Sequence, residues 1–109
     1  MHYSNRRGYE TEMRFFRVCE AALADGRLPR WISAIRRGTR GEDRDGIDAI
    51  ATTTNGTNIP LQLKSSKTAK DYFRRDPSHR HIKCIVLTPE LSDEMVLEKV
   101  SRALIAAGT

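Results

Sequence analysis

The chain has 109 residues, enough for one domain around a single core. Its 39% hydrophobic and 30% charged residues exclude a disordered chain, and the absence of repeats or low-complexity tracts excludes an array. Nineteen Lys plus Arg against fourteen acids give a formal charge of +5, a balance that suits a polyanionic partner, nucleic acid first, and no basic amphipathic stretch argues for a membrane surface.

Met1 to Gly8 is polar and reads as a flexible arm, leaving 9–109 as the single domain. No charged-then-apolar leader is present and no apolar run approaches membrane length, so a cytoplasmic location is expected. Cys19 and Cys84 lie far apart within apolar patterns, as buried free thiols of a reducing compartment do.

A helix is expected from about Tyr9 to Ala24, ended by Asp25-Gly26. At about 100° per residue, Phe16, Cys19 and Leu23 form its buried stripe, with Glu12 in the middle, Glu20 at the edge and Glu10 facing away. Two readings of Glu12 stand: a first-turn acid that complements the helix dipole, or a carboxylate leaning toward a metal or a lysine. Trp31 to Ile35 alternates like a half-buried strand. Arg36 to Asp45, "RRGTRGEDRD", reads as a charged loop. Its arginines Arg36, Arg37, Arg40 and Arg44 can clamp phosphates, or can be neutralised by the acids interleaved with them.

Gly46 to Thr54 and Asn58 to Lys64 read as two strands joined at the hairpin signal Asn55-Gly56. Ser65 and Ser66 can cap a basic helix over Lys67 to Arg75 that carries Lys67, Lys70 and Arg74. The nearly continuous apolar run Ile82 to Leu87 reads as a buried strand parallel to the one before it, reached through that helix. Ser92 can cap a last helix on which Val96, Val100, Ala103, Leu104 and Ala107 recur at core-packing spacing, ended by Gly108. The order is α-β-β-β-α-β-α, an α/β fold with a mixed, roughly four-stranded sheet flanked by helices.

The stretch from Asp48 to Lys64 carries the chemistry. Phosphodiester hydrolysis needs a hydroxide near neutral pH, compensation for charge building on the phosphorus oxygens, and a proton for the leaving oxygen. A hard divalent ion supplies much of this when held by one or two carboxylates, other oxygens and water. Asp48 offers a carboxylate, Gln62 an amide oxygen, Leu63 a carbonyl, and Lys64 a positive charge beside phosphate or water. His79-x-His81 with Cys84 lacks a fourth metal ligand, so phosphate contact or solvent exposure is expected there.

With its "GID" and "QLK" pieces, the stretch resembles the PD-(D/E)xK nuclease superfamily. It is most similar to the Mrr-type restriction-endonuclease branch, in which glutamine replaces the second acid. The resemblance covers about Tyr9 to Leu104 and rests on few residues. It implies that Asp48 is the metal-binding aspartate, Gln62 the variable acid or amide, Lys64 the catalytic lysine and Glu12 the helix glutamate, with Glu20 second choice and a minor role for Asp45. Ile47 stands where many members have proline. The implied activity is Mg²⁺- or Mn²⁺-dependent endonucleolytic cleavage of DNA by a homodimer. Asp48, Gln62, Leu63 and Glu12 would be at the ion. Arg36, Arg37, Arg40, Arg44, Ser65, Ser66, Lys67, Lys70 and Arg74 would be on the backbone. The alternative is a non-cutting nucleic-acid-binding or assembly module of the same fold.

One geometric condition follows. A strict two-residue Asn55-Gly56 loop would set Thr54 opposite Thr57 and Asp48 opposite Leu63, turning Asp48 away from Gln62 and Lys64. An odd loop length, or a bulge at Gly56 or Pro60, is therefore expected.

Overall fold

The computed structural model describes residues 6–108. Helix α1 (Arg6–Asp25) begins within the stretch expected to be an arm, and residues 1–5 lie outside the described residues. Its buried line runs Thr11, Phe15, Val18, Ala22, flanked by Phe16 and Cys19. That line is wider than the expected stripe and shifted from it, so Glu12 sits at its border, half-buried, rather than in its middle.

Strand β1 (Ile32–Arg37) runs two residues past the expected one. The charged segment beyond it is a short helix, α2 (Arg40–Arg44), rather than a loop. Thr39 and Glu42 start it by reciprocal capping: the Glu42 amide donates to the Thr39 hydroxyl, and the Thr39 amide donates to Glu42 Oε1. Strand β2 (Ala49–Thr53) is shorter than expected, because Gly46 and Ile47 belong to the turn that leaves α2. Strand β3 (Asn58–Lys64), helix α3 (Lys67–Arg74) and strand β4 (Lys83–Val86) follow. A 3-10 turn over Pro77–His79, started by Asp76, separates α3 from β4. Helix α4 (Asp93–Gly108) closes the chain, its Met95 amide donating to Ser92 Oγ.

The sheet is mixed, in the order β1-β2-β3-β4: β1 and β3 are antiparallel to β2, and β4 is parallel to β3 across the α3 crossover. The expected fold class is the one observed. The β2–β3 register pairs Thr52 with Asn58 and Ala49 with Leu61. The Thr53 amide donates to the Thr57 carbonyl and the Gly56 amide to the Thr53 carbonyl, enclosing a three-residue loop of Thr54, Asn55 and Gly56. Gly56 takes φ +89°, where a side chain would be strained. The odd loop length required by the sequence argument is present.

The main core lies on one face of the sheet. Ile59, Leu61, Leu63, Ala49, Ala51 and Ile85 pack against Phe15, Val18 and Cys19 of α1 and Val96, Val100 and Leu104 of α4. A smaller cluster of Phe73, Ile82 and Cys84, with Ile47 against it, lies under α3. Burial pushes the Cys19 thiol up to about 12 and raises that of Cys84, so both stay protonated and act as small hydrophobes. Among the described residues no helix is long and apolar enough to cross a membrane.

Candidate active site

Alternation along β3 sends Leu61 and Leu63 into the main core and leaves Gln62 and Lys64 to the opposite side. Asp48 sits one residue before β2, where the ladder opens. Its amide donates to the Leu61 carbonyl (2.8 Å), and its carbonyl accepts the Gly38 amide (2.9 Å). Gly38 has no room for a side chain, since a Cβ there would collide with the Ile47 carbonyl oxygen. The Asp48 backbone is thus held between two strands, and its side chain takes the next rung of β3: the Leu63 amide donates to Asp48 Oδ2 (2.9 Å).

Gln62 is only 8% exposed, so its amide must be satisfied within the protein. Hydrogen bonding fixes its orientation. The nitrogen donates to Asp48 Oδ2 (2.9 Å) and to the Gly46 carbonyl (2.5 Å), and the oxygen accepts from Lys64 Nζ (3.1 Å). Lys64 Nζ also lies 5.1 Å from the centre of the Phe73 ring. Asp48, Gln62 and Lys64 therefore form one chain of contacts: carboxylate, amide, ammonium.

These three line a cleft of about 570 Å³ with Leu63, Ser65 and Ala69, the first turns of α1 (Gly8, Tyr9, Glu12), and Asp43 of α2. Glu12, the expected helix glutamate, faces this cleft, while Glu20 is exposed and is not part of its lining. Asp45 is exposed and also absent from the lining. Asp43 is the acid that sequence reasoning missed. A signal for it exists: the Thr39-x-x-Glu42 capping box starts a helix at Arg40, and that helix carries Asp43 toward the cleft.

The acids share one electrostatic problem. Burial, then Glu12 and Asp43, push the Asp48 carboxyl up to about 7, against the Leu63 hydrogen bond and the Lys64 charge. Burial and Asp43 raise Glu12, with Arg37 pulling the other way. Burial is the main cause in both and the neighbouring acids add to it; the donors are hard oxygens, a set that suits a hard divalent ion. Among the described residues, however, no three His, Cys, Asp or Glu side chains converge closely enough to hold a metal ion. Gln62, expected as a ligand, spends its oxygen on Lys64. Of the expected donors, Asp48 and Glu12 remain with the Leu63 carbonyl, and Asp43 lines the same cleft. Asp48 and Glu12 together match the habit of Mg²⁺, which takes one or two carboxylates and keeps several waters.

The residues expected on the backbone fall into two groups. Arg36 is bound by Glu42 through two hydrogen bonds of 2.9 and 3.2 Å, and this pair pulls the Glu42 carboxyl down to about 2. Arg37 lies over the Phe16 ring (4.3 Å) and reaches Glu12 (3.5 Å). Both arginines are exposed but paired with acids, whereas Arg40 and Arg44 are exposed on α2 without an ion pair among the described residues. In the second group, Ser65 lines the cleft and Ser66 caps α3 by accepting the Ala69 amide (3.1 Å). Lys67, Lys70 and Arg74 lie on α3 facing the β4 edge. His79 stacks on Phe73 (3.9 Å, 10°) with Nδ1 2.9 Å from the Phe73 carbonyl, His81 is exposed, and Cys84 is buried, so they form no metal cluster.

Compared with family models, with curated proteins and with solved structures, the chain matches none.

Proposed function

We propose that the chain is a divalent-metal-dependent endonuclease of the PD-(D/E)xK kind, acting on DNA as a twofold dimer. One observation carries the reading: a buried aspartate, an amide and a lysine are linked by hydrogen bonds at the floor of a cleft that Glu12 and Asp43 also line. Asp48 and Glu12 would hold the ion, with the Leu63 carbonyl as a further oxygen. When bound, the ion supplies a polarised phosphoryl oxygen and a more acidic water. Leu63 and Gln62 hold the Asp48 carboxylate in one orientation. Gln62 also anchors Lys64, whose ammonium faces the cleft and offsets charge on a phosphate placed there. The Phe73 ring of α3, 5.1 Å from Nζ, is a second contact that helps hold the ammonium in place.

A second reading has one observation in its favour. The Gln62 amide is consumed between Asp48 and Lys64, so the cleft has one potential ligand fewer. That arrangement suits a nucleic-acid-binding module that does not cut. A plasmid-nicking assay with Mg²⁺ or Mn²⁺ separates the two. Cleavage by the wild type, with loss in Asp48→Ala and Lys64→Ala, supports the enzyme. DNA binding without metal-dependent nicking supports the module.

A further inference from the structure

Strand β4 is an edge of the sheet, and its outer side lies open between α3 and α4. Alternation of its residues makes a two-sided groove there. On the α3 side, Lys70 and Arg74 stand one helical turn apart over Cys84, with Arg80 beside them. On the α4 side, Lys99 and Arg102 face Lys83 and Ile85. The two parts have volumes of about 430 and 640 Å³ and share Lys70, Arg74, Lys83 and Cys84, so they are continuous. Among the described residues the one acid in the lining is Asp71.

Five arginines elsewhere are matched, Arg14 and Arg17 with Asp93, Arg27 with Asp25, Arg36 with Glu42 and Arg37 with Glu12, whereas Arg30, Arg40, Arg44 and Arg75, among the described residues, have no carboxylate at ion-pair distance and lie outside the groove lining. In the groove Arg102 holds Glu98 (3.1 Å), but among the described residues Lys70, Arg74, Arg80, Lys83 and Lys99 have no carboxylate at ion-pair distance. Such a concentration of unmatched charge repels itself and is relieved by a polyanion. Same-sign cations on the rim also oppose edge-to-edge pairing with a second copy of the chain. Cys84, at the floor, stays a neutral thiol and does not compete for the cations.

We infer that the groove along the β4 edge, between α3 and α4, is a track for the sugar-phosphate backbone of a nucleic acid, separate from the Asp48 cleft. Cations from both helices flank the strand on its two sides, and the free amides of the β4 edge add donors between them. A track of this kind grips phosphates without reading bases. It lies on the far side of α3 from the cleft, so a bound strand would continue across that helix toward Lys64. The inference rests on the nucleic-acid part of the proposed function and not on cleavage.

The test is a binding titration with a labelled DNA duplex, its single strand and the matching RNA, in chelator so that no cutting enters. The variant is Arg80→Gln/Lys83→Gln/Lys99→Gln, and the control is Arg17→Gln/Arg27→Gln, on and just past α1. The wild type should bind, and the groove variant should bind at least about tenfold more weakly. Its salt dependence should shrink by roughly 0.9 for each duplex phosphate left without its cation. The control should stay within about twofold of the wild type, since Asp93 and Asp25 already pair with these two arginines. Lys83→Gln alone should give a proportionate part of the change, which keeps the test decisive if the triple variant melts early. Four results overturn the inference: no binding by the wild type at low salt, unchanged binding by the groove variant, equal losses in both variants, or retention on anionic vesicles with none on nucleic acid. Failure of the nicking assay leaves it standing.

Discussion

Strand β3 serves two masters, and its faces are built by opposite rules. Ile59, Leu61 and Leu63 lie against α1 and α4 in a layer of aliphatic and aromatic side chains. Gln62 and Lys64 lie on the other side with Asp48, joined by polar, directional hydrogen bonds. Both faces are well buried along this stretch, since Leu61 is 0%, Leu63 6% and Gln62 8% exposed. The apolar face gains from burial at roughly 25 cal/mol per Å². The polar face loses by burial and recovers through hydrogen bonds. One face should therefore govern stability and the other activity.

Removing volume from the apolar face is the strongest way to break this division. Leu61→Ala leaves a cavity at the middle of the core and should cost about 2–5 kcal/mol, read as a lower urea midpoint. Gly38→Ala probes the join between the faces. The added methyl collides with the Ile47 carbonyl and displaces the strand that holds Asp48, so about 1–3 kcal/mol should go, together with nicking activity.

Asp48→Asn should act in the opposite direction on stability. Asp48 titrates at about 7 when folded, against an ordinary value of 3.8. Between those values the folded chain keeps a proton that the unfolded chain releases, so stability falls as pH rises from about 4 to about 7. In chelator, thermal melts across that range should show this slope in the wild type and a flatter one in Asp48→Asn, with the variant melting higher at pH 8. A wild-type melt that rises through the interval would contradict the buried-acid account. Added Mg²⁺ should raise the wild-type melting temperature at pH 8 and leave Asp48→Asn nearly unmoved. Lys64→Met should change stability least, by under about 1 kcal/mol, because it removes only the Gln62 hydrogen bond and the ammonium beside Phe73. Under the proposed function it should still lower nicking at least about a hundredfold.

The fold is legible in the sequence where one signal dominates. Periodicity locates α1 and α4, the apolar run locates β4, and the need for Asp48 to reach Lys64 dictates an odd hairpin loop. It is less legible where two signals overlap. Arg36 to Asp45 is so rich in charge that it reads as a loop, and the charge masks the Thr39–Glu42 capping box within it. With α2 goes Asp43, and the pairing of Arg37 with Glu12 needs α1 folded beside β1, whereas Arg36 is paired by Glu42, one of the acids interleaved with it in sequence. The unmatched cations at the β4 edge come from three separate segments, Lys70 to Arg80, Lys83, and Lys99, so only the parallel crossover reveals them as one surface.

The Thr54-Asn55-Gly56 loop has a consequence for how this chain can change. It lies some five residues up the strands from Asp48, on the order of 17 Å away. A single codon gained or lost there, with no compensating bulge, would exchange the two sides of the hairpin, sending Leu61 to the side of Asp48 and Gln62 into the aliphatic core. A change at this tip keeps the Asp48 side intact when it is a substitution, a step of two residues, or a single step offset by a bulge, so groups at the far end of the sheet constrain it.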